Sequence, residues 1–183
     1  MRIDNTTTTM RSSPVDYLRS LFPSDQQRIR RPIVTRDEEE LDHYNMTMVR
    51  LIRAADVPAL RLKLEEGVSF HASNRKGETF LHLACRMGNI DTVRFLLEEV
   101  KLSPNLRDNL GRSVLHDVCW KSFADLKLMD YLLRVIAPEM LLVEDQRGDC
   151  AFDYVRREQW DTWNQFLKER EDLIARRIKI ALA

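Results

Sequence analysis

The sequence predicts an all-α fold, a short helical solenoid, and three observations predict it. The stretch Gly77-Glu78-Thr79-Phe80-Leu81-His82-Leu83-Ala84-Cys85 returns in altered form 34 positions later as Gly111-Arg112-Ser113-Val114-Leu115-His116-Asp117-Val118-Cys119. A period of that size is too short for a domain and long enough for one helix pair, so each copy has to bury its apolar face against its neighbours. Weaker copies flank these two, and apolar residues within the units recur at three- and four-residue steps, the spacing of an amphipathic helix.

Residues 1–34 hold Thr6 to Thr9, Ser12-Ser13-Pro14, Pro23 and Pro32 without a sustained helical period, which predicts a flexible N-terminal arm. Inside it, Val15, Leu18 and Phe22 stand at helical spacing between Pro14, suited to a first turn, and Pro23, which ends it. Three readings of this short helix are open: it folds back on the repeats, it binds a partner, or it belongs to a targeting sequence. Asp4, Asp16 and Asp25 weigh against a transit peptide, since such peptides are poor in acids. The cluster Arg28-Ile29-Arg30-Arg31 reads as solvated linker, with nuclear import or an anionic-surface role as its alternative.

From Thr35 the pattern changes. Asp37, Glu38, Glu39 and Glu40 place negative charge at a helix start, and Leu41, Tyr44, Met48, Leu51, Ile52 and Ala55 follow at helical steps. One long amphipathic helix is expected, then a second helix through Leu60, Leu62 and Leu64 to Gly67, making residues 35–73 a degenerate capping unit. Residues 74–107 form the first clear repeat, with Gly88-Asn89 between its helices and Val93, Leu96 and Leu97 on the second. Residues 108–144 form the next. There Leu132-Leu133 match Leu96-Leu97 at an offset of 36 rather than 34, so two residues are inserted. The insertion falls in Trp120-Lys121-Ser122-Phe123-Ala124-Asp125 and should bring two aromatic side chains to the surface. Residues 145–183 form the C-terminal cap, with Phe152-Asp153-Tyr154 in place of Leu-His-Leu, then Trp163, Phe166 and Leu167, and a tail from Lys168 expected to continue that last helix.

Within the first clear repeat, Thr79-Phe80-Leu81-His82-Leu83-Ala84 follows the pattern T-P-L-H-x-A, with Phe80 in the place of proline. On those residues the chain resembles the ankyrin repeat family. The resemblance implies that His82 and His116 hydrogen-bond backbone in the turns joining the repeats and are structural. Packed helices lie about 10 Å apart, so one histidine per unit does not complete a metal shell. His43 and His71 have no acidic or cysteine partner at ligand spacing.

Among the five glycines, Gly77, Gly111 and Gly148 read as repeat-turn positions, and the sequence holds none of the phosphate-loop, dinucleotide, nucleophile-elbow or zincin motifs. No catalytic residue, cofactor or metal is expected. The 29 basic and 29 acidic side chains cancel, so the chain lacks the field that drives nonspecific nucleic-acid or membrane-surface binding. No apolar run approaches the roughly 18–20 residues of a membrane span, and a secretory leader pattern is missing from the N-terminus. Cys85, Cys119 and Cys150 form no C-x-x-C pair and read as small core residues in a reducing compartment. A cytoplasmic setting is expected, with nuclear entry or organelle import through the arm as alternatives.

The resemblance further implies a binding surface made of the tips beside each turn glycine and the ends of the first helices. Its expected partner-binding residues are Arg75, Lys76, Arg86 and Met87 in the first clear repeat, Leu110, Arg112, Trp120 and Lys121 in the second, and Arg147 and Arg157 in the cap. Together with the neutral and acidic neighbours Glu78, Asn109, Gln146, Asp149 and Glu158, this set carries seven basic and three acidic residues, a net of +4. The expectation is a noncatalytic module, monomeric alone, that binds an acidic segment of another protein on its concave face, with the arm or the C-terminal helix adding a second contact. The alternatives are a structural subunit of a larger assembly and a steric regulator of an enzyme.

Overall fold

The computed structural model describes residues 12–26 and 44–181 of the protein. Helices dominate and no strand occurs among the described residues; the only pairings of that kind are the isolated bridges Ser73 to Thr79 and Arg107 to Ser113, which close the turns around Gly77 and Gly111. The helices, numbered in chain order, begin with α1 (Pro14–Leu21), α2 (Met46–Ala54) and α3 (Val57–Glu65). They continue with α4 (Phe80–Met87), α5 (Ile90–Arg94) running into a widened π turn (Phe95–Glu99), α6 (Val114–Cys119) and α7 (Leu126–Val135). Single 3-10 turns, Pro138–Leu141 and Ala151–Tyr154, lead to α8 (Trp160–Glu169) and α9 (Glu171–Ala181).

The first helices pack in series: α2 on α4, α4 on α6, and α6 on the turn Ala151–Tyr154, to which the first helix of the last unit has shrunk. Local chemistry sets each boundary. Thr79 and Ser113 stand in extended conformation and cap α4 and α6 in reciprocal capping boxes, with the histidine three residues on in place of the usual glutamate. Gly88 ends α4 in the left-handed region, at φ 77°, and Asn89 at once caps α5, so the two helices turn back on each other within two residues.

The tips of the repeats are tied to one another by backbone. The Asn109 amide donates to the Lys76 carbonyl, and the Gln146 amide to the Leu110 carbonyl, each at 2.8 Å. Gly77, at φ 75°, is required by this approach, because a Cβ there would stand 2.9 Å from the Asn109 backbone nitrogen. His82 and His116 carry the same linkage inward. Each Nδ1 accepts the backbone N–H of its capping residue, at 3.2 Å from Thr79 and 3.0 Å from Ser113, so each Nε2–H donates to the next turn, His82 to the Arg112 carbonyl and His116 to that of Asp149, both at 3.3 Å. Both ring nitrogens are thereby committed, and burial pulls the His116 pKa below the ordinary histidine value against the opposing backbone contact. His82→Ala strands the Thr79 amide and the Arg112 carbonyl; it should lower unfolding free energy by about 1–3 kcal/mol in denaturant titration, while a chelator leaves the melting temperature unchanged.

The core runs unbroken through the stack. At one end Tyr44 stacks on Phe80 at 4.6 Å and Phe70 packs edge-on against Phe80 and Phe95; at the other, Trp163 meets Phe152 and Phe166 edge-on at 5.4 and 5.7 Å.

Three expectations about the ends are corrected. The long helix from Thr35 does not run through Tyr44: Asn45 is extended and caps α2 by accepting the Met48 amide at 3.0 Å, so the helix begins at Met46. Leu41 and the acids Asp37 to Glu40 lie outside the described residues, as do Arg28 to Arg31. The tail does not continue the last helix, because the chain bends at Arg170 between α8 and α9, where the Arg170 guanidinium donates to Asp130 at 2.7 Å. Ile174 and Ile178 of α9 are nonetheless buried, and α9 packs over the turn Pro138–Leu141.

The third correction concerns the boundary of the arm, while of the three open readings of its short helix the structure shows the first, folding back on the repeats. Residues 14–22 belong to the folded domain, since α1 packs on α8, α9 and the turn Ala151–Tyr154 with Val15, Leu18 and Phe22 buried. Ser13 caps α1 and Pro14 occupies its first turn, as the spacing suggested. Helix α1 therefore covers the apolar face of the C-terminal cap, while α2 lies at the opposite end of the stack.

Candidate protein-binding surface

The sequence of turns and short first helices leaves two adjoining concavities on one side of the stack. The larger, of about 300 Å³, is bordered by Lys76 and Glu78 from the first tip, Arg86 of α4, Arg112 from the second tip, His116 and Asp117 of α6, and the rings of Trp120 and Tyr154. The smaller, of about 150 Å³, lies beyond those rings and takes in Leu110, Arg112, Asp145, Gln146 and Arg147. Arg112, Trp120 and Tyr154 separate the two and belong to both.

Trp120 stands where the two-residue insertion begins, directly after α6, and its ring is 61% exposed while leaning on Tyr154 at 5.5 Å. Phe123, in the same turn, is 59% exposed, so both aromatics of the insertion reach solvent as expected. Tyr154 is fixed from behind by donating its hydroxyl to Asp145 at 2.5 Å. Burial pushes the Asp145 carboxyl up, but that hydroxyl and the amides of Asp149 and Arg147 hold it below the usual carboxylate range. The aromatic pair is thus a positioned platform rather than two loose rings.

The expected net of +4 on this face is corrected. Arg86 donates from Nε to Asp117 at 2.8 Å and from Nη2 to Glu78 at 2.6 Å. Arg112 contacts Asp108 at 2.6 and 2.7 Å and Glu78 at 3.2 Å. Lys121 is buried, donates to Asp125 at 2.6 Å and covers the Phe123 ring, so it borders neither concavity. The compensating acids lie within the same face, on neighbouring turns and helices.

Arg75, Lys76 and Arg147 keep solvent-exposed side chains that form no ion pair among the described residues. Arg157 lies over the Trp160 ring at 5.7 Å and, with Arg75 and Met87, borders neither concavity, although Met87 is 47% exposed. Of the ten residues expected to bind, Lys76, Arg86, Arg112 and Trp120 meet at the larger concavity, and Leu110 and Arg147 join at the smaller.

Sequence reasoning missed Asp117 and Tyr154. The signal was present: counted from the turn glycine, Leu83, Asp117 and Tyr154 hold the same repeat position, so a carboxylate and a phenol stand where the first clear repeat has a packed leucine.

Comparison with known proteins bears on the scaffold. A family model described as ankyrin repeats, in three copies, matches residues 49–139, about half of the chain. The chain is 40% identical over 52 residues to SMC5-SMC6 complex localization factor protein 1 of Bos taurus, covering 28% of this chain and 5% of that protein. It is 38% identical over 76 residues to the mitochondrial liver isoform of glutaminase from Rattus norvegicus, covering 40% of this chain and 13% of that enzyme. To the Mus musculus form it is 36% identical over 110 residues, 58% of this chain and 18% of the enzyme. The chain thus spans less than a fifth of each of these relatives.

Proposed function

The chain belongs to the ankyrin repeat family, whose repeats serve as protein–protein interaction modules, and we propose that this one binds an acidic, partly apolar segment of another protein across the two concavities. The observation that carries the reading is the Trp120 platform, an exposed indole propped on Tyr154 between two hollows, with Lys76 on one side and Arg147 on the other. Tryptophan and arginine dominate protein interfaces when they are central and become desolvated. Leu110, 46% exposed, offers the smaller hollow an apolar wall for a partner side chain. The scaffold acts by presentation and performs no chemistry, the chain is monomeric by itself, and its three free, buried thiols fit a reducing compartment, in the cytoplasm or the nucleus. No helix among the described residues is long and apolar enough to cross a membrane.

The test is panning of the full chain against a peptide library of varied charge. Peptides carrying carboxylates beside an apolar residue should be enriched. Trp120→Ala should speed their dissociation by about 30-fold, the kinetic equivalent of a 2 kcal/mol anchor. Arg147→Glu should mainly slow association, and the more so at low salt. Enrichment of neutral or basic peptides, or hydrogen-exchange protection confined to α3, α5, α7 and α9, would show instead that the opposite surface is the interface and that the chain is an assembly subunit.

A further inference from the structure

The floor of the larger concavity holds an ion pair whose two members differ in access. The Arg86 side chain is 39% exposed and borders the hollow, whereas its carboxylate partner Asp117 is 10% exposed in its side chain and is held at 2.8 Å by the Arg86 Nε. The scaffold itself does not need an acid there, since Leu83 and Tyr154 fill the equivalent position in the neighbouring units. We infer that Asp117 is an internal stand-in for a partner carboxylate: it occupies Arg86 in the free protein and takes up a proton when an acidic side chain of the partner enters the concavity and replaces it. This deepens the proposed function and rests on it.

The surroundings of Asp117 set the direction of the exchange. The titratable and charged groups around it are Arg86 and the Cys85 thiol on α4, Lys76, Glu78 and Arg112 from the two tips, Tyr44 ahead of α2, and His116 and Tyr154 beside it. Burial pushes the Asp117 carboxyl up to about 6, and Arg86, by charge and hydrogen bond, is the main influence pulling it back. Withdrawing Arg86 leaves burial and the Glu78 charge opposed only by the smaller influence of the Arg112 charge, and the incoming carboxylate adds to the former, so the proton affinity of Asp117 rises further. The neighbouring donors are engaged elsewhere, Arg112 with Asp108 and Glu78 and the Tyr154 hydroxyl with Asp145, and Lys76, also at the rim of the hollow, forms no ion pair with Asp117 among the described residues.

Glu78 is not the acceptor of this proton. Burial pushes its carboxyl up as well, but hydrogen bonds from Arg86 and Asn74 and the charge of Arg112 hold it below the ordinary glutamate value, and two of those three partners remain after the exchange. Asp117 is therefore largely ionised in the free protein above pH 6 and protonated in the complex. Below pH 6 it is protonated in both states and the coupling disappears. Affinity for an acidic segment should rise as pH falls towards 6, by at most about tenfold per pH unit for one linked proton.

Titration calorimetry of the full chain with an acidic peptide enriched in the panning above, at pH 7 in phosphate and in Tris, measures the protons taken up from the difference in buffer ionisation heat. Wild type should take up close to one proton per peptide. Asp117→Asn, which still offers an oxygen to Arg86 without a charge, should bind more tightly at pH 7.5, show no pH dependence between 6 and 7.5, and take up no proton. Glu78→Gln should keep the uptake. Carboxyl-carbon NMR of wild type with and without peptide should show Asp117 passing from the ionised to the protonated position, and decides the matter should Asp117→Asn fold poorly. Peptide binding without proton uptake, or an Asp117 resonance unmoved by saturating peptide, overturns the inference and leaves the binding surface intact. Failure of every acidic peptide to bind overturns the proposed function, and this inference with it.

Discussion

Leu18→Asp should lower the melting temperature of the full chain by on the order of 10 °C or more, with the loss falling first on the C-terminal end of the stack. Leu18 is fully buried, flanked by Val15 and Phe22, and its neighbours are α8, α9 and the turn Ala151–Tyr154. Removing a buried leucine to alanine already costs about 2–5 kcal/mol, and a carboxylate in the same place adds an unpaired charge. The polar rim of α1 would be lost with it. Tyr17 donates to Glu171 at 2.5 Å, Asn164 donates to the Ser12 carbonyl at 2.9 Å, and Arg19 lies 3.7 Å from Asp153. Burial and the Glu171 contact push the Tyr17 hydroxyl up to about 12, so the phenol remains a donor throughout the neutral range.

Repeat units contact only their neighbours, so destabilisation at one end spreads through the stack by degrees. Hydrogen exchange in Leu18→Asp should therefore rise in α8 and α9 while α2, α3 and α4 keep their protection. Unchanged melting and exchange would mean that α1 does not dock in solution. A uniform rise across all helices would mean that α1 stabilises the stack as a whole rather than its last unit.

How far the sequence reveals this molecule depends on whether a feature repeats. The turn glycines, the paired histidines and the exposed insertion at Trp120 and Phe123 all follow from aligning one unit on the next, and the structure shows each where the alignment puts it. Features made by contacts between distant segments carry no such signal. The Val15, Leu18 and Phe22 spacing shows that α1 has an apolar face, but nothing local specifies that residues over 130 positions away will cover it. The start of α2 was misplaced because helical spacing from Leu41 onward continues through Tyr44 and Asn45, and only the cap geometry at Asn45 reveals the stop.

The binding face was misjudged for a related reason. Counting charges at chosen surface positions gave +4, yet a count omits acids whose own positions looked internal. Asp108 and Asp117 are among the most buried charged residues of the described chain, and they face Arg112 and Arg86. In the free protein two of the seven cations are thereby already paired, Arg112 as part of the scaffold and Arg86 with the acid that a partner carboxylate would replace, and Lys121 is buried against Asp125. What is left for recognition is fewer charges and more aromatic surface than the sequence suggests.

That distinction separates arginines that look alike in the sequence. Arg112→Glu should destabilise the fold by about 3–5 kcal/mol, the cost of leaving a buried carboxylate without its counter-ion. Asp108 is 1% exposed; it accepts the backbone amides of Leu110 and Arg112 at 2.9 and 2.8 Å and depends on the Arg112 guanidinium for neutralisation. A glutamate at 112 would bring a second carboxylate against both Asp108 and Glu78, and the tip around Gly111 should open. Arg75→Glu and Arg147→Glu stand at exposed tips without ion pairs among the described residues, so each should change unfolding free energy by no more than about 0.5 kcal/mol. Denaturant titrations of the three variants check this directly. Equal stability of all three would mean that the Arg112 to Asp108 contact contributes nothing in solution and that Arg112 is available to a partner, whereas the expected split leaves Lys76 and Arg147 as the cations beside the Trp120 platform that are not needed to hold the fold together.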